Sequence, residues 1–168
     1  MLAKQHAQDR GKLEWGHNVL VSYFPQNHGD IVDKKVDINA FDWLKARRPG
    51  VYDQDIRSVM GKMLFSGDDA FKKIAALSGG ETARLILAAM MLEEHNTLIL
   101  DEPNGHLGLE AVSALGWGLN EYKGTVIVVS HDRDLMTTVA NKIVAFEPDG
   151  IKVYNGKLDE YLASKGSK

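Results

Sequence analysis

Two short apolar runs constrain the fold of this chain more than any other feature. They are Thr-Leu-Ile-Leu-Asp at residues 97–101 and Thr-Val-Ile-Val-Val-Ser at residues 125–130. Continuous apolar runs of this kind are typical of strands that are buried on both faces of a parallel sheet. The apolar residues that recur at helical spacing between the two runs are Leu109, Val112, Leu115, Leu119 and Tyr122. A strand, a helix and a strand in this order predict a right-handed crossover in a parallel sheet, and therefore an α/β fold.

The remaining patterns place further elements around this unit. Those predicted before it are a helix or frayed segment at 1–12, one or two strands at 13–25, a loop at 26–37, two helices within 38–66 and a long helix at 78–94. Those predicted after it are a helix at 133–140, strands near 142–146 and 151–154, and a helix at 158–164. Pro49 and Gly50 separate the two helices, because proline does not continue a helix. Val19, Val21 and Tyr23 are predicted to share one face of the first strand region.

The composition excludes several other classes of protein. The 168 residues include no cysteine, which rules out a disulfide scaffold, a thiol nucleophile and a cysteine zinc site. The longest purely apolar run, Leu85–Leu92, is far shorter than the ~20 residues of a membrane span. The amino terminus is charged and lacks the apolar core of a signal peptide. We therefore expect a cytoplasmic protein with no membrane contact. The formal charge of −3 gives no general nucleic-acid signature, so any RNA contact needs a local patch.

Acidic and imidazole side chains follow the two apolar strands where each strand ends. Asp101 and Glu102 end the first run, and His131 follows the second. Ligands of parallel α/β folds bind at the carboxyl edge of the sheet, where these residues would meet. One carboxylate can bind Mg²⁺ while its neighbour orients or deprotonates a water molecule. The alternatives are a solvated strand end for the carboxylates and a structural role for the histidine.

A second candidate site lies at the start of the long helix. Ser78 and Glu81 have the spacing of a capping box, in which each side chain binds the other residue's backbone N–H. Gly79 and Gly80 fall inside the first helical turn, where each glycine costs about 1 kcal/mol relative to alanine. Bare backbone N–H groups at this end of a helix suit an anion such as phosphate. These residues alone do not distinguish a phosphate-binding site from an ordinary helix start.

These motifs, in this order, resemble those of the ATP-binding-cassette (ABC) family. Leu-Ser-Gly-Gly-Glu at 77–81 resembles its signature motif, and Leu-Ile-Leu-Asp-Glu-Pro at 98–103 resembles its Walker B strand with the catalytic glutamate. Val-Val-Ser-His-Asp at 128–132 resembles the switch-histidine loop, and Phe-Pro-Gln at 24–26 resembles the Q-loop. Asp-Glu-Pro followed by His106 and Leu107, together with the segments at 130–136 and 154–166, most resembles the ABC-F branch, whose members have two cassettes, lack a membrane domain and act on ribosomes. The end of the chain resembles the second, carboxy-terminal cassette.

The resemblance implies a P-loop NTPase-like fold with a parallel-sheet core and a set of roles. The implied divisions of a partial cassette (1–168) are a strand and Q-loop at 13–26, a helical subdomain at 38–76, and the signature, Walker B and switch-histidine part at 77–168. The implied cofactors are ATP and Mg²⁺.

Each motif carries an implied role at that ATP and Mg²⁺ site. Asp101 would bind the metal, and Gln26 would contact the metal and sense the water. Glu102 would polarise the attacking water, and His131 would contact the γ-phosphate. The residues implied to face ATP held by a second cassette are Ser78, Gly79, Gly80 and Glu81. The implied partners are that second cassette, in the same chain or in a dimer, and the ribosome or its RNA.

Departures from the family pattern bear on activity. The sequence contains no Gly-x-x-x-x-Gly-Lys-[Ser/Thr] loop, the Walker A motif, since its Gly-Lys pairs at 11–12, 61–62 and 156–157 are followed by leucine or methionine. We therefore expect a fragment without the cassette's first strands, deficient in ATP hydrolysis and prone to self-association through an uncovered sheet edge. Gly108 replaces the aspartate of the family's D-loop. Gly116 and Gly118 fall within the predicted crossover helix, which we interpret as drift or design rather than optimisation for catalysis.

Two other functions fit the same motifs. One is the nucleotide-binding subunit of an ABC membrane transporter, because such subunits are often separate chains. The other is a non-catalytic interaction module, because the signature helix is present without a phosphate-binding loop. Association with ribosomes would indicate an ABC-F function, and association with membranes would indicate a transporter subunit.

Overall fold

A parallel sheet of three strands organises the fold. The computed structural model describes residues 9–27, 29–105 and 107–166. Its strands are β1 (Val21–Phe24), β2 (Thr97–Asp101) and β3 (Thr125–Val129), which pair in that spatial order. β2 is central, and its Leu98 and Leu100 are fully buried. Both apolar runs are thus neighbouring parallel strands, and the predicted α/β fold with a parallel core is confirmed.

Helices and a β-hairpin complete the described part of the chain. The α-helices are α1 (Ala40–Arg47), α2 (Asp53–Lys62), α3 (Gly79–Leu92), α4 (Leu109–Glu121), α5 (Arg133–Val139) and α6 (Leu158–Gly166). Short 3₁₀ helices lie at Gly29–Ile31, Gly67–Phe71 and Ile74–Ala76. β4 (Lys142–Glu147) and β5 (Gly150–Asn155) form an antiparallel hairpin that is separate from the parallel sheet. No helix in this part of the chain is long and apolar enough to cross a membrane.

The region before α1 differs in part from its prediction. Val19 lies outside β1, because Asn18 has a positive φ of 61° and the Val19 N–H donates to Gly16 O in a turn. The predicted loop at 26–37 contains the first 3₁₀ helix. Of the predicted segment 1–12, residues 1–8 lie outside the described residues. The predicted break between α1 and α2 is confirmed, with Gly50 at a φ of 92°.

One hydrophobic core joins the sheet to the helices. α3 lies within it, and its Leu85 and Ala88 are fully buried, because apolar residues fill nearly every position after the first turn. α3 packs against α1, α2 and β1, so the segment before the signature motif and the parallel sheet share this core. A smaller cluster of Ala140, Ile143 and Tyr161 stabilises the hairpin against α6.

Gly116 and Gly118 are positions of close packing on α4. A Cβ at Gly116 would lie 3.0 Å from Thr138 Cγ2 on α5, and a Cβ at Gly118 would lie 2.7 Å from Met91 Cε on α3. A methyl group at either position requires its neighbour to move, because protein interiors are close-packed. The two glycines therefore allow α4 to approach its neighbouring helices, a packing role that the interpretation as drift or design did not assign.

One face of the β4–β5 hairpin is apolar and exposed. Val144 pairs with Val153 and Phe146 pairs with Ile151, so the four side chains share this face. All four are more than half exposed, and Phe146 is 81% exposed. A contiguous apolar patch of this kind is typical of an interaction surface.

Besides the uncovered sheet edge expected from the sequence, this hairpin face is a second surface through which we expect the chain to self-associate. The double variant Phe146→Lys, Ile151→Lys should shift the chain towards monomer, because lysine opposes the apolar burial that drives association. Sedimentation equilibrium over a range of concentrations measures the shift. Leu109→Lys is the control, since it replaces an 84% exposed leucine on α4. A monomer at every concentration of the unmodified chain would contradict the expectation.

Candidate functional site

Glu102 and His131 meet at the carboxyl edge of the parallel sheet. Glu102 directly follows β2, His131 lies two residues beyond β3, and the register pairs Asp101 with Val129. The Glu102 N–H donates to Val129 O at 2.8 Å, which continues the strand pairing. His131 Nε2 lies 3.6 Å from Glu102 Oε1, and the His131 N–H donates to Glu102 Oε2 at 3.5 Å. The structure therefore places two of the predicted site residues in contact.

Asp101 is held at the same edge by a tyrosine from β1. Tyr23 Oη donates to Asp101 Oδ2 at 3.2 Å. Partial burial, followed by the nearby Asp101 carboxylate, raises the pKa of Tyr23, so this hydroxyl keeps its proton and remains a donor. Gln26 is exposed and lies two residues beyond the end of β1. Sequence reasoning assigned Tyr23 no role here, because the bond depends on the register that sets Tyr23 beside Ile99.

A serine connects the loops that follow β2 and β3. Ser130 Oγ donates to Asn104 Oδ1 at 2.7 Å and accepts from the Asp132 N–H at 3.0 Å. Asp132 Oδ1 in turn accepts from the Leu135 N–H at 2.9 Å and caps α5. These bonds fix the backbone on both sides of His131, whose own side chain is 98% exposed. The histidine is thus an accessible group on an ordered loop.

Glu102 combines an unusual backbone conformation with an unsatisfied carboxylate oxygen. Its φ is 48°, in the left-handed region that costs a non-glycine residue about 1–3 kcal/mol. Its Oε1 is buried and has no hydrogen-bond partner among the described residues. Burying such an acceptor without a donor is destabilising. Strain and an unsatisfied buried polar atom together are typical of a functional site, where a ligand or water completes the bonding.

The residues at this edge fit a magnesium ion that is shared with a ligand. Mg²⁺ prefers oxygen ligands, keeps several waters and is usually bound through one or two carboxylates together with substrate phosphates. Asp101 and Glu102 supply adjacent carboxylates, and Gln26 carries an amide oxygen at the same edge. Across residues 9–27, 29–105 and 107–166, no cluster of three or more acidic, histidine or cysteine residues could hold a metal ion. The fit is therefore to a partial coordination sphere rather than to an all-protein metal cage.

The start of α3 has the predicted capping box. Ser78 Oγ accepts from the Glu81 N–H at 3.2 Å, and Glu81 Oε2 accepts from the Ser78 N–H at 2.7 Å. Lys72 Nζ binds the other carboxylate oxygen, Glu81 Oε1, at 2.8 Å. The pKa of Glu81 is lowered to about 2, chiefly by the hydrogen bond from Lys72. Desolvation opposes this shift, and the capping-box bonds add to it.

An open groove of about 690 Å³ lies beside this helix start. Its lining includes Ser78, Gly80, Glu81, Leu107 and Gly108. A Cβ at Gly79 would meet no atom within 4 Å, so the backbone there faces open space. The edge residues Asp101, Glu102 and His131 do not line this groove. The structure thus keeps the two candidate sites apart within one chain.

The Lys72–Glu81 ion pair leads to a pH-dependent stability. Because the folded-state pKa of Glu81 lies below its ordinary value of 4.5, its carboxylate stabilises the fold fully above about pH 4.5, and this contribution is lost as the pH falls towards 2. Lys72→Met should lower the free energy of unfolding by about 1 kcal/mol at neutral pH and flatten its decrease in acid. Urea unfolding at several pH values measures both effects.

Lys73→Met is the matched control, because Lys73 pairs with an exposed Asp37 instead. This variant should keep the acid dependence of the unmodified chain. An equal change in both variants would show that the Lys72–Glu81 pair does not carry the effect.

The fold and these two sites together indicate the class of protein. A parallel α/β sheet with paired carboxylates at its carboxyl edge, and a glycine-containing helix start beside an open groove, is typical of nucleotide-binding domains. The family model described as ABC transporter matches residues 1–105, which is more than half of the chain. The chain therefore belongs to the ABC transporter family, whose shared module is an ATP-binding cassette.

Two curated relatives cover nearly all of the chain. The probable ATP-binding protein YbiT of Escherichia coli O157:H7 is 36% identical over 159 residues, covering 94% of this chain and 30% of that protein. ATP-binding cassette sub-family F member 3 of Homo sapiens is 34% identical over 154 residues, covering 92% of this chain and 21% of that protein. The chain thus spans only a fifth to a third of these relatives.

A solved structure supports the cassette fold. In the structure titled "Model of ribosome-bound archaeal Pelota and ABCE1", one chain matches with a TM-score of 0.74 at 23% identity. The match covers 99% of this chain and 29% of that one. The fold of the described residues is therefore that of part of an ABC cassette.

Proposed function

We propose that this chain is part of an ABC-F type ATPase cassette that acts on ribosomes in the cytoplasm. The match to a sub-family F protein and the segments at 130–136 and 154–166 support the ABC-F assignment. The fold likeness to a chain in a ribosome-bound assembly is compatible with it. The division into 13–26, 38–76 and 77–168 stays a prediction.

The buried Oε1 of Glu102 carries the proposal of a hydrolytic site, because it has no hydrogen-bond partner among the described residues and lies 3.6 Å from His131 Nε2. In the proposed reaction Glu102 accepts a hydrogen bond from the attacking water and polarises it, while His131 donates to the γ-phosphate. Asp101 and Gln26 would hold the Mg²⁺ that accompanies the nucleotide. A bound Mg²⁺ would neutralise charge on the phosphates. Tyr23 holds the Asp101 carboxylate in position through its hydroxyl.

The signature segment is proposed to act on a nucleotide bound by a second cassette. Ser78, Gly79 and Gly80 offer backbone N–H groups and a hydroxyl at the positive end of α3. The separation of their groove from the Asp101–Glu102–His131 edge supports a function towards a different nucleotide. The side chain of Glu81 completes the capping box with Ser78 and so fixes the conformation of this turn.

The chain of 168 residues is proposed not to hydrolyse ATP alone, because it contains no Walker A motif. A non-catalytic interaction module is thus the second candidate function. Calorimetry with MgATP tests this point, and no heat of binding is expected at millimolar nucleotide. Tight MgATP binding with turnover by the chain alone would disprove it.

Fractionation of cells that express the tagged chain tests the ribosomal assignment. Co-sedimentation with ribosomes is expected, and its loss after dissociation of the subunits would show specificity for an assembled particle. Recovery with membranes would instead favour the subunit of an ABC transporter.

A further inference from the structure

A second groove, of about 410 Å³, lies between the end of α2 and one face of α4. Gly61 and Leu64 line one side, and Ala114 and Trp117 line the other. Its volume falls in the range of known binding clefts, and its walls are mostly apolar. The groove adjoins the one at the start of α3 but extends away from the signature residues, along about three turns of α4.

Trp117 is the most conspicuous side chain of this groove. It is 74% exposed, whereas Val112, Leu115 and Leu119 on the opposite face of α4 are buried in the core. The inner face of α4 thus packs in the hydrophobic core, whereas the indole on its outer face is largely exposed. Tryptophan is strongly enriched among the residues that dominate the binding energy of protein interfaces. An exposed indole beside an apolar groove therefore indicates a contact made outside this chain.

The opposite wall of the groove is preformed. Leu64 has a φ of 60°, which a leucine rarely adopts. Arg84 Nη1 donates to Met63 O at 3.0 Å and to Leu64 O at 3.1 Å, and so holds this turn. A strained residue persists where its surroundings hold it in place. A partner therefore meets a rigid wall and gains affinity, because little ordering is needed on binding.

The charges at the two ends of the groove define the kind of partner. Glu110 lies at one end and Glu121 at the other, about 16 Å apart along α4. Glu110 has no hydrogen bond or ion pair among the described residues, and Glu121 pairs with Lys62. The net charge of the lining is therefore negative. The carboxylate of Glu110, unpaired among those residues, repels nucleic-acid phosphates and attracts a basic side chain, whereas the carboxylate of Glu121 is already neutralised by Lys62, which also lines the groove.

We propose that this groove is the docking site for a basic amphipathic helix of a partner protein. Its apolar residues occupy the space between Leu64 and Trp117, in the manner of a helix bound in a groove. Its basic residue lies at one end, opposite Glu110. The proposal does not depend on ATP chemistry, because Ala114, Trp117 and Glu121 line only this groove, although Gly61, Leu64 and Glu110 also line the groove at the start of α3.

A labelled synthetic helix tests this docking site on the full chain. The probe is an amphipathic peptide with leucines on one face and lysines at both ends of that face. The comparison peptide has glutamates in place of the lysines. Fluorescence anisotropy measures both affinities. We expect the lysine peptide to bind, to weaken with added salt and to bind at least about tenfold more weakly to Trp117→Ala.

Glu110→Gln should weaken binding of the lysine peptide by about threefold, as for an exposed charge pair. Leu109→Ala is the matched control, since this exposed leucine lies on the same helix but outside the groove. Phe146→Ser tests whether the hairpin face captures the peptide instead. Both controls should bind like the unmodified chain, and circular dichroism checks that each variant is folded.

Four results would each overturn the proposal. The first is equal binding of the glutamate peptide, and the second is unchanged binding by folded Trp117→Ala. The third is a loss of binding in Phe146→Ser. The fourth is binding of a single-stranded RNA oligomer that Trp117→Ala weakens, which would assign the groove to nucleic acid.

Discussion

ATP turnover is expected to fall about 100- to 1,000-fold when Glu102 is replaced by Gln in a completed cassette, as for loss of a group that activates water. The completed cassette is a chimaera in which a Walker A segment of an ABC relative precedes this chain. Glutamine keeps the shape and the neighbours of Glu102 but lacks the charge that polarises water. Steady-state phosphate release measures the effect.

The Glu102→Gln chimaera should still bind MgATP, since the substitution leaves the phosphate-binding segment intact. Asp159→Asn is the control, because this carboxylate lies on the exposed first turn of α6, away from the sheet edge. Its turnover should equal that of the unmodified chimaera. Unchanged turnover in Glu102→Gln would contradict the proposal that the Glu102 carboxylate polarises the attacking water.

Leu100→Ala is expected to lower the free energy of unfolding by about 3–4 kcal/mol, since a fully buried leucine leaves a cavity that its neighbours fill only in part. Leu100 lies on the central strand, paired with Phe24 of β1 and Val128 of β3. A loss of this size is a large part of the stability of an ordinary domain. Urea unfolding followed by circular dichroism measures it.

A substitution at an exposed leucine, Leu109, is the control for Leu100→Ala. Leu109→Ala should change stability by less than about 0.5 kcal/mol, because Leu109 is 84% exposed. A similar loss in the two variants would show that stability does not depend on the central strand. A loss confined to Leu100→Ala would assign the core to the parallel sheet.

The central unit of the fold could be predicted because its signals are local. The apolar runs at 97–101 and 125–130 are long enough to identify strands, and the intervening helical spacing sets their parallel order. The first strand was harder to delimit, since the chain reverses at Asn18 and leaves Val19 outside β1. Asparagine adopts a positive φ more readily than most residues, but most asparagines do not adopt one, so Asn18 alone does not predict the turn.

From the sequence, only those site residues could be predicted whose positions follow from where the strands end. Adjacent parallel strands bring Asp101, Glu102 and the His131 loop to one edge, which follows from topology alone. The bond from Tyr23 to Asp101 depends on the register of a third strand, and the pair of Lys72 with Glu81 depends on a turn before α3. Such contacts come from tertiary packing, which single-residue patterns do not encode.

The serine that connects the loops after β2 and β3 has a mechanical consequence. Asn104, Ser130 and Asp132 form a continuous relay of hydrogen bonds that ends at the cap of α5. The backbone of the loop that presents the imidazole of His131 is therefore tied on one side to the segment beyond β2 and on the other to the start of α5, so the position of the histidine depends on both neighbouring elements.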